Sequence, residues 1–252
     1  MIQKTAFITG ATSGIGKATS QLFAKNKIRL ILCGRRKDRL QELHQELSKL
    51  TDVTTLQFDV RNKKAVLNAI ESLPKNFRKI DILINNAGNA HGLSAIQDGD
   101  LDDWDAMIDI NVKGLLYVSR AILPQMVKRK HGFVVNIGSI AGKEVYPNGN
   151  VYCASKYAVN ALNKAMRIDL NKHNIRISAI HPGAVETEFS EVRFKGDIEK
   201  AKSVYAGYQA LQPEDIADII FFVVTRPYHV TIEDLVVYPT AQASAAILKK
   251  EM

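Results

Sequence analysis

Only two cysteines, Cys33 and Cys153, occur in the 252 residues. That is too few for a disulfide framework. Each stands where a small apolar residue would serve, so both are expected to be reduced and structural. No apolar run approaches the roughly 18 residues of a membrane-spanning helix, so no membrane partner is expected. The opening MIQKTAFITG runs straight into a strand-like pattern, without a charged, apolar and small-residue leader, which points to a cytoplasmic chain. Low-complexity segments, short-period repeats and linkers are missing, so a single domain over residues 1–252 is expected. No Cys, His and carboxylate cluster has metal-ligand spacing, and no metal is expected. The net charge is +8, yet Lys and Arg are dispersed. Their densest clusters, GRRKDRL and VKRKHG, are short and carry no interleaved aromatic platform, so no nucleic-acid partner is expected.

What the chain does have is alternation. Short apolar runs at 4–9, 28–33, 53–58, 81–84, 132–137, 175–180 and 234–238 read as strands. They are continuously apolar, as in strands buried on both faces of a parallel sheet. Amphipathic patterns at 14–25, 37–50, 62–73, 102–128, 150–172 and 213–224 read as helices between them. Strand–helix repetition of this kind predicts the α/β class, a doubly wound parallel sheet with helices on both faces. The stretch 184–212 is long, charged and weakly periodic. It follows the sixth strand, at the sheet end where ligands bind, and is expected to form a substrate lid.

The first strand enters TGATSGIGKATSQLF. Gly10 suits the tight turn, Gly14 lets the backbone approach a pyrophosphate at the helix N-terminus, and Gly16 lets helix and sheet pack closely. The second strand ends in CGRRKDRL, where an acid would hold the ribose hydroxyl of NAD. Arg35 and Arg36 stand there instead. A guanidinium can pair with a 2′-phosphate through parallel hydrogen bonds, so NADP is expected over NAD. Asp59, ending the third strand, is placed either to accept from the adenine amine or to cap the next helix.

Together TGATSGIG, NNAG, Asn111 in INVKG, Ser139 in NIGSIAG, YCASK and HPGAVET occur in the order and spacing of the short-chain dehydrogenase/reductase family, which the chain resembles from residue 4 to about 240. The stretches GRRKDRLQEL, NAGNAHGLSAIQ, ETEFSEVRFKGD and LQPEDIAD are similar to its NADP-dependent 3-hydroxy acid dehydrogenase branch, which acts on serine, allo-threonine or malonic semialdehyde. The resemblance implies a single Rossmann domain with a seven-stranded sheet, a homotetramer, and a small hydroxy acid or oxo acid as substrate. It implies that Thr12, Ser13 and Ile15 of the glycine loop, Val60 beside Asp59, and Asn86, Ala87 and Gly88 of NNAG line the cofactor. Pro182, Gly183, Val185 and Thr187 of HPGAVET would clasp its carboxamide and phosphates.

Tyr152 and Lys156 are four residues apart and so project from one helix face. A free phenol has a pKa of about 10, and bringing it near 7 takes roughly 4 kcal/mol of differential stabilisation. The Lys156 ammonium and a cationic nicotinamide would act in that direction. By the resemblance, Lys156 also holds the nicotinamide ribose, Ser139 bonds the substrate oxygen, and Asn111 anchors a water leading from Lys156 to solvent. In oxidation Tyr152 would take the hydroxyl proton as hydride leaves for NADP⁺. His91 and His181 are expected to be structural. An acid substrate needs a cation, and Arg193 in SEVRFKG is the first candidate and Lys195 the second; a solvated lid charge is the other reading of Arg193. A broad carbonyl or 3-oxoacyl reductase is the alternative activity, although VVYPTAQAS lacks the paired glycines usual in carrier-protein reductases. A cofactor-sensing module without turnover is the alternative class, but such modules typically lose the Tyr or the Lys, and both are present.

Overall fold

The computed structural model describes residues 3–250. Strands β1 (Thr5–Thr9), β2 (Arg29–Gly34), β3 (Val53–Gln57), β4 (Ile82–Asn85), β5 (Gly132–Ile137), β6 (Ile175–Pro182) and β7 (Asp234–Val237) form one 7-stranded sheet in the order β3-β2-β1-β4-β5-β6-β7. Every pairing is parallel. The expected strands are thus all present, and β6 extends two residues further than its apolar run, through Pro182.

The continuous burial of β1 follows from helices on both faces. Ala6 and Ile8 face a core closed by Phe23 of α1 (Gly14–Lys25), Leu40 and Leu43 of α2 (Lys37–Leu47) and Ile216 and Ile220 of α9 (Pro213–Thr225). Phe7 faces the other core, closed by Val66 of α3 (Lys63–Glu71), Val118 and Ile122 of α5 (Leu115–Arg129) and Val159 and Met166 of α6 (Asn150–Leu170). Alternate residues of a strand therefore feed different cores, and no position along β1 is left for a polar side.

The segment 102–128, which reads as one helix, is divided. α4 (Leu101–Ile108) passes through a π turn, Asp109–Gly114, into α5. The extra residue of a π turn shifts the phase of everything after it, which a 3.6-residue pattern cannot register. It sits at Asn111. Helix α3 begins one residue later than its pattern and stops at Glu71, and Asn62 caps it by accepting from the Ala65 amide at 3.0 Å. The alternative in which Asp59 caps this helix is thereby set aside.

The expected lid is a closed loop. Its ends are tied by Glu186 N to Leu211 O at 2.8 Å and Leu211 N to Ala184 O at 3.0 Å. Inside it lie two short helices, α7 (Phe189–Arg193) and α8 (Ile198–Ser203). The chain after β7 folds back toward the lid, and Gln242 Oε1 accepts from Ala184 N at 2.9 Å.

Candidate active site

The chain leaves β1 toward β2 and β3, then returns to β4 on the other side. The carboxyl ends diverge at that reversal and open a cleft of about 600 Å³. The glycine loop forms its floor. Gly10 has φ +63°, a left-handed conformation that a side chain resists. A Cβ on Gly16 would lie 2.3 Å from Gly10 O, so only glycine lets α1 start this close to β1. Ser13 makes no side-chain cap to α1, and the first turn carries no acid. The start of α1, Gly14 and Ile15, lines the cleft without a side-chain cap, as a phosphate site requires.

Asn86 has a double duty. It lines the cleft, and its side chain donates to Thr9 O at 2.9 Å and Gly10 O at 3.1 Å and braces the glycine loop. Thr12, Ser13, Ile15, Val60, Ala87, Gly88, Pro182, Gly183, Val185 and Thr187 all line the same cleft. Gly16 lies behind it as packing. Asp59 stands beside the lining, between Phe58 and Val60, with its carboxylate held by Arg61 Nε at 3.0 Å and Nη2 at 2.7 Å. Burial opposes its charge, but the Arg61 bonds outweigh this and hold its carboxyl below the usual range.

Arg35 and Arg36 both reach the cleft at the end of β2. Arg36 is clamped to Thr12, with Nη2 donating to Oγ1 at 3.2 Å. Its Nη1 also meets Glu188 at 2.7 Å, and Arg39 grips the other oxygen of the same carboxylate. Glu188 opens the lid, and nothing in the sequence around it signals partners 152 and 149 residues away.

At the far end of the cleft Tyr152 is buried at 7% exposure. Burial, with the Tyr146 phenol adding to it, pushes its phenol above the ordinary range, while the polar Ser139 side chain and the charge of Arg193 pull the other way. The chain's own groups, Lys156 included, therefore do not by themselves bring the phenol near neutral pH. Lys156 Nζ is 5.9 Å from the Tyr152 ring centre and donates to Ile137 O at 3.1 Å, so the protein's own charges leave the phenol high. Burial lowers the Lys156 ammonium to about 8, which keeps it mostly charged at neutral pH.

Ser139 is extended after β5 and accepts from Ala141 N at 3.1 Å, which leaves its own proton to donate. Beneath it, His181 is fully buried with Nδ1 3.2 Å from Ser139 O. Burial lowers His181 to about 4, so it stays neutral and supports the serine loop. Asn111 does not line the cleft. From its π turn it accepts from Asn89 N at 2.9 Å and donates to Asn89 O at 2.9 Å and Ser155 Oγ at 3.0 Å. Ser155 in turn donates to Tyr152 O at 2.7 Å, so Asn111 also reaches the helix carrying the tyrosine.

The short helix α7 brings Arg193 to Tyr152. The guanidinium carbon is 5.3 Å from the Tyr152 ring centre and 5.5 Å from that of Tyr146, and Nη2 donates to the Tyr146 hydroxyl. Its Nε donates to the Gly92 carbonyl at 3.4 Å, its guanidinium carbon lies 5.8 Å from the Phe189 ring centre, and it has no carboxylate partner among the described residues. Lys195, the second candidate, is spent elsewhere: it pairs with Asp100 at 3.2 Å and Asp103 at 3.0 Å. Phe189 packs its ring 5.5 Å from that of Tyr152. Tyr146, Phe189, Glu188 and the tail residues Gln242, Ala245 and Leu248 are among the lining residues that sequence reasoning did not single out. Only the aromatic character of Tyr146, six residues before Tyr152, offered any signal.

The sequence profile described as short chain dehydrogenase matches residues 4–197. The NADP-dependent 3-hydroxy acid dehydrogenase of Salmonella typhi is 45% identical over 241 residues, 95% of this chain and 96% of that protein. The protein of the same description from Schizosaccharomyces pombe is 45% identical over 245 residues, 96% of this chain and 95% of its own length. Among solved structures, the closed form of a serine dehydrogenase complexed with NADP⁺ superposes with a TM-score of 0.92 at 42% identity, covering 98% of this chain and 100% of that one. With a matching profile over most of its length and these relatives spanning nearly all of it, the chain belongs to the short-chain dehydrogenase family.

Proposed function

We propose that the chain oxidises small 3-hydroxy acids of the serine or 3-hydroxypropionate type, and reduces the matching oxo acids or semialdehydes, with NADP as its cofactor. The observation that carries this reading is Arg193, a cation without a carboxylate partner among the described residues, held over the ring of the buried Tyr152. In a 3-hydroxy acid two bonds separate the carbinol carbon from the carboxyl carbon. A group that grips the carboxylate must therefore stand within a few ångströms of the group that handles the hydroxyl, and Arg193 and Tyr152 are such a pair.

The glycine loop and the uncapped start of α1 fit a pyrophosphate, and Arg35 and Arg36 fit a 2′-phosphate. Lys156 holds the nicotinamide ribose and Asp59 the adenine amine. Pro182, Gly183, Val185 and Thr187 hold the carboxamide and phosphates. Bound NADP⁺ supplies the hydride acceptor and a positive charge beside Tyr152. The chain supplies the rest. Ser139 donates to the substrate oxygen and Tyr152 takes the hydroxyl proton. Lys156 and the cofactor's charge offset the burial that holds the phenol high. Asn111 anchors the proton's exit past Lys156. A cytoplasmic homotetramer is the assembly the family resemblance favours; among the described residues, no helix is long and apolar enough to cross a membrane.

The test is a panel of serine, 3-hydroxypropionate and a neutral alcohol, each with NADP⁺ and NAD⁺. The reading predicts preference for the acids and for NADP⁺. A neutral alcohol turned over as well as the acids contradicts the substrate class, and preference for NAD⁺ contradicts the role of Arg35 and Arg36.

A further inference from the structure

Besides Asp59, which pairs with Arg61 and lies 3.7 Å from Arg35, three charged clusters around the cleft stand out among the described residues. Lys195 with Asp100 and Asp103 is a surface pairing on the lid, and Lys143 with Asp234 and His181 is a support beneath Ser139. The third, Arg36 with Glu188 and Arg39, joins the cofactor end of the cleft to the lid. We infer that Glu188 is a resident anion in the 2′-phosphate subsite, which the phosphate of NADP must displace and which NAD leaves in place. It is thus a determinant of cofactor choice, an inference that rests on Arg36 being the phosphate ligand.

The geometry of the pairing is that of an oxyanion. Each carboxylate oxygen of Glu188 has its own guanidinium, Oε2 on Arg36 at 2.7 Å and Oε1 on Arg39. Arg36 cannot easily turn to serve two anions. Its Nε and Nη2 are engaged by Thr12 Oγ1 at 3.3 and 3.2 Å, which aims the remaining Nη1 at Glu188. Burial opposes the Glu188 charge, but the two arginines outweigh it and keep the carboxyl below its usual range, so it is ionised at neutral pH. A carboxylate and a phosphate dianion on the same guanidinium repel, so one must leave. The side chains are 34–44% exposed, which makes the pairing weak enough to exchange.

The site of exchange also matters to the lid. Glu188 directly precedes α7, whose Phe189 ring lies 5.5 Å from that of Tyr152 and whose last residue is Arg193. Displacing Glu188 therefore releases the start of the helix that carries the substrate cation. The 2′-phosphate is read twice: by the arginines that attract it, and by the anion that it removes.

The test is calorimetric titration of the full chain, without substrate, with NADP⁺ and separately with NAD⁺. Glu188→Gln is expected to tighten NADP⁺ about three- to tenfold, the scale of two partly exposed ion pairs, and to leave NAD⁺ within about twofold. Glu188→Ala must shift NADP⁺ in the same direction, since glutamine could still accept from the arginines. Weaker or unchanged NADP⁺ binding in both variants overturns the inference, and so does equal tightening of NAD⁺, which would reflect net charge alone. Arg36→Gln separates the two layers. It should weaken NADP⁺ and spare NAD⁺; if it leaves NADP⁺ unchanged, the phosphate role of Arg36 fails, and the inference with it.

Discussion

The guanidinium of Arg193 lies 5.3 Å from the ring centre of Tyr152, although the two residues come from different elements, the lid helix α7 and the core helix α6. A cation in the 184–212 segment is thus set beside the group proposed to handle the substrate hydroxyl. Replacing Arg193 by Ala should raise KM for 3-hydroxypropionate at least tenfold, roughly the weight of one charge-assisted pair, and leave KM for a neutral alcohol within about twofold. Lysine at this position should recover only part of the loss, because it lacks the planar fork. Steady-state kinetics on both substrates decides it, and equal effects on both remove the carboxylate role.

Lys156 gives a pH signature. Its pKa in the fold is about 8, against about 10.4 in an unfolded chain, because burial penalises the charged form. The unfolded chain binds more protons between these values, so stability should rise with pH across that window. Lys156→Met removes the buried charge. It should be more stable than the parent at pH 7 by up to about 3 kcal/mol, and the gap should close near pH 10.5. Urea unfolding of both proteins at three pH values checks this, and a gap that does not move with pH contradicts it. The variant should also lose turnover.

Asn111 is 2% exposed and satisfies the Asn89 amide and carbonyl and the Ser155 hydroxyl. Asn111→Ala should lower stability by about 2–4 kcal/mol, since it orphans buried polar groups as well as removing bonds. Denaturant unfolding measures it, and a loss below about 1 kcal/mol shows that water replaces the side chain.

At Gly16 the obstruction is backbone. An added Cβ meets Gly10 O at 2.3 Å and Asn86 Nδ2 at 2.5 Å, and neither can move without shifting the glycine loop. Gly16→Ala should weaken NADP⁺ at least tenfold and lower the melting temperature by several degrees, on the scale of an overpacked core. Titration and thermal melting read both effects. Unaltered NADP⁺ affinity detaches the loop from the cofactor.

These sites differ in how far the sequence announces them. β1 and β5 were legible because strands buried on both faces carry unbroken apolar runs, and Gly10, Gly14 and Gly16 because a tight turn and close approach allow few substitutes. Tyr152 and Lys156 were legible through helix spacing together with the surrounding motifs. The π turn at Asn111 was not, because one inserted residue leaves the local composition unaltered while rotating the face that α5 presents. Neither was the Glu188 pairing. Its partners are 152 and 149 residues away, and the contact depends on where the 184–212 loop lies relative to the end of β2. The tail with Gln242 escaped for a similar reason: TAQASAAILKK has no periodic pattern, and only the fold places it at the cleft.

The state of Tyr152 was not legible for want of a magnitude. Lys156 is on the expected face, but its ammonium is 5.9 Å from the ring and bonded to Ile137 O, while burial of the phenol acts on Tyr152 itself. A partner four residues away along a helix ensures a shared face and says nothing of desolvation.

The proposed role of Tyr152 is to transfer the proton of a small 3-hydroxy acid while NADP is reduced. It is tested most directly by following NADP⁺ reduction with 3-hydroxypropionate in the parent chain and in Tyr152→Phe, with NADPH affinity measured on both. The expected result is turnover in the parent, a fall in kcat of about 100-fold or more in the variant, and NADPH affinity within about threefold of the parent, as for loss of a general acid–base group. A variant that turns over 3-hydroxypropionate as fast as the parent would contradict it.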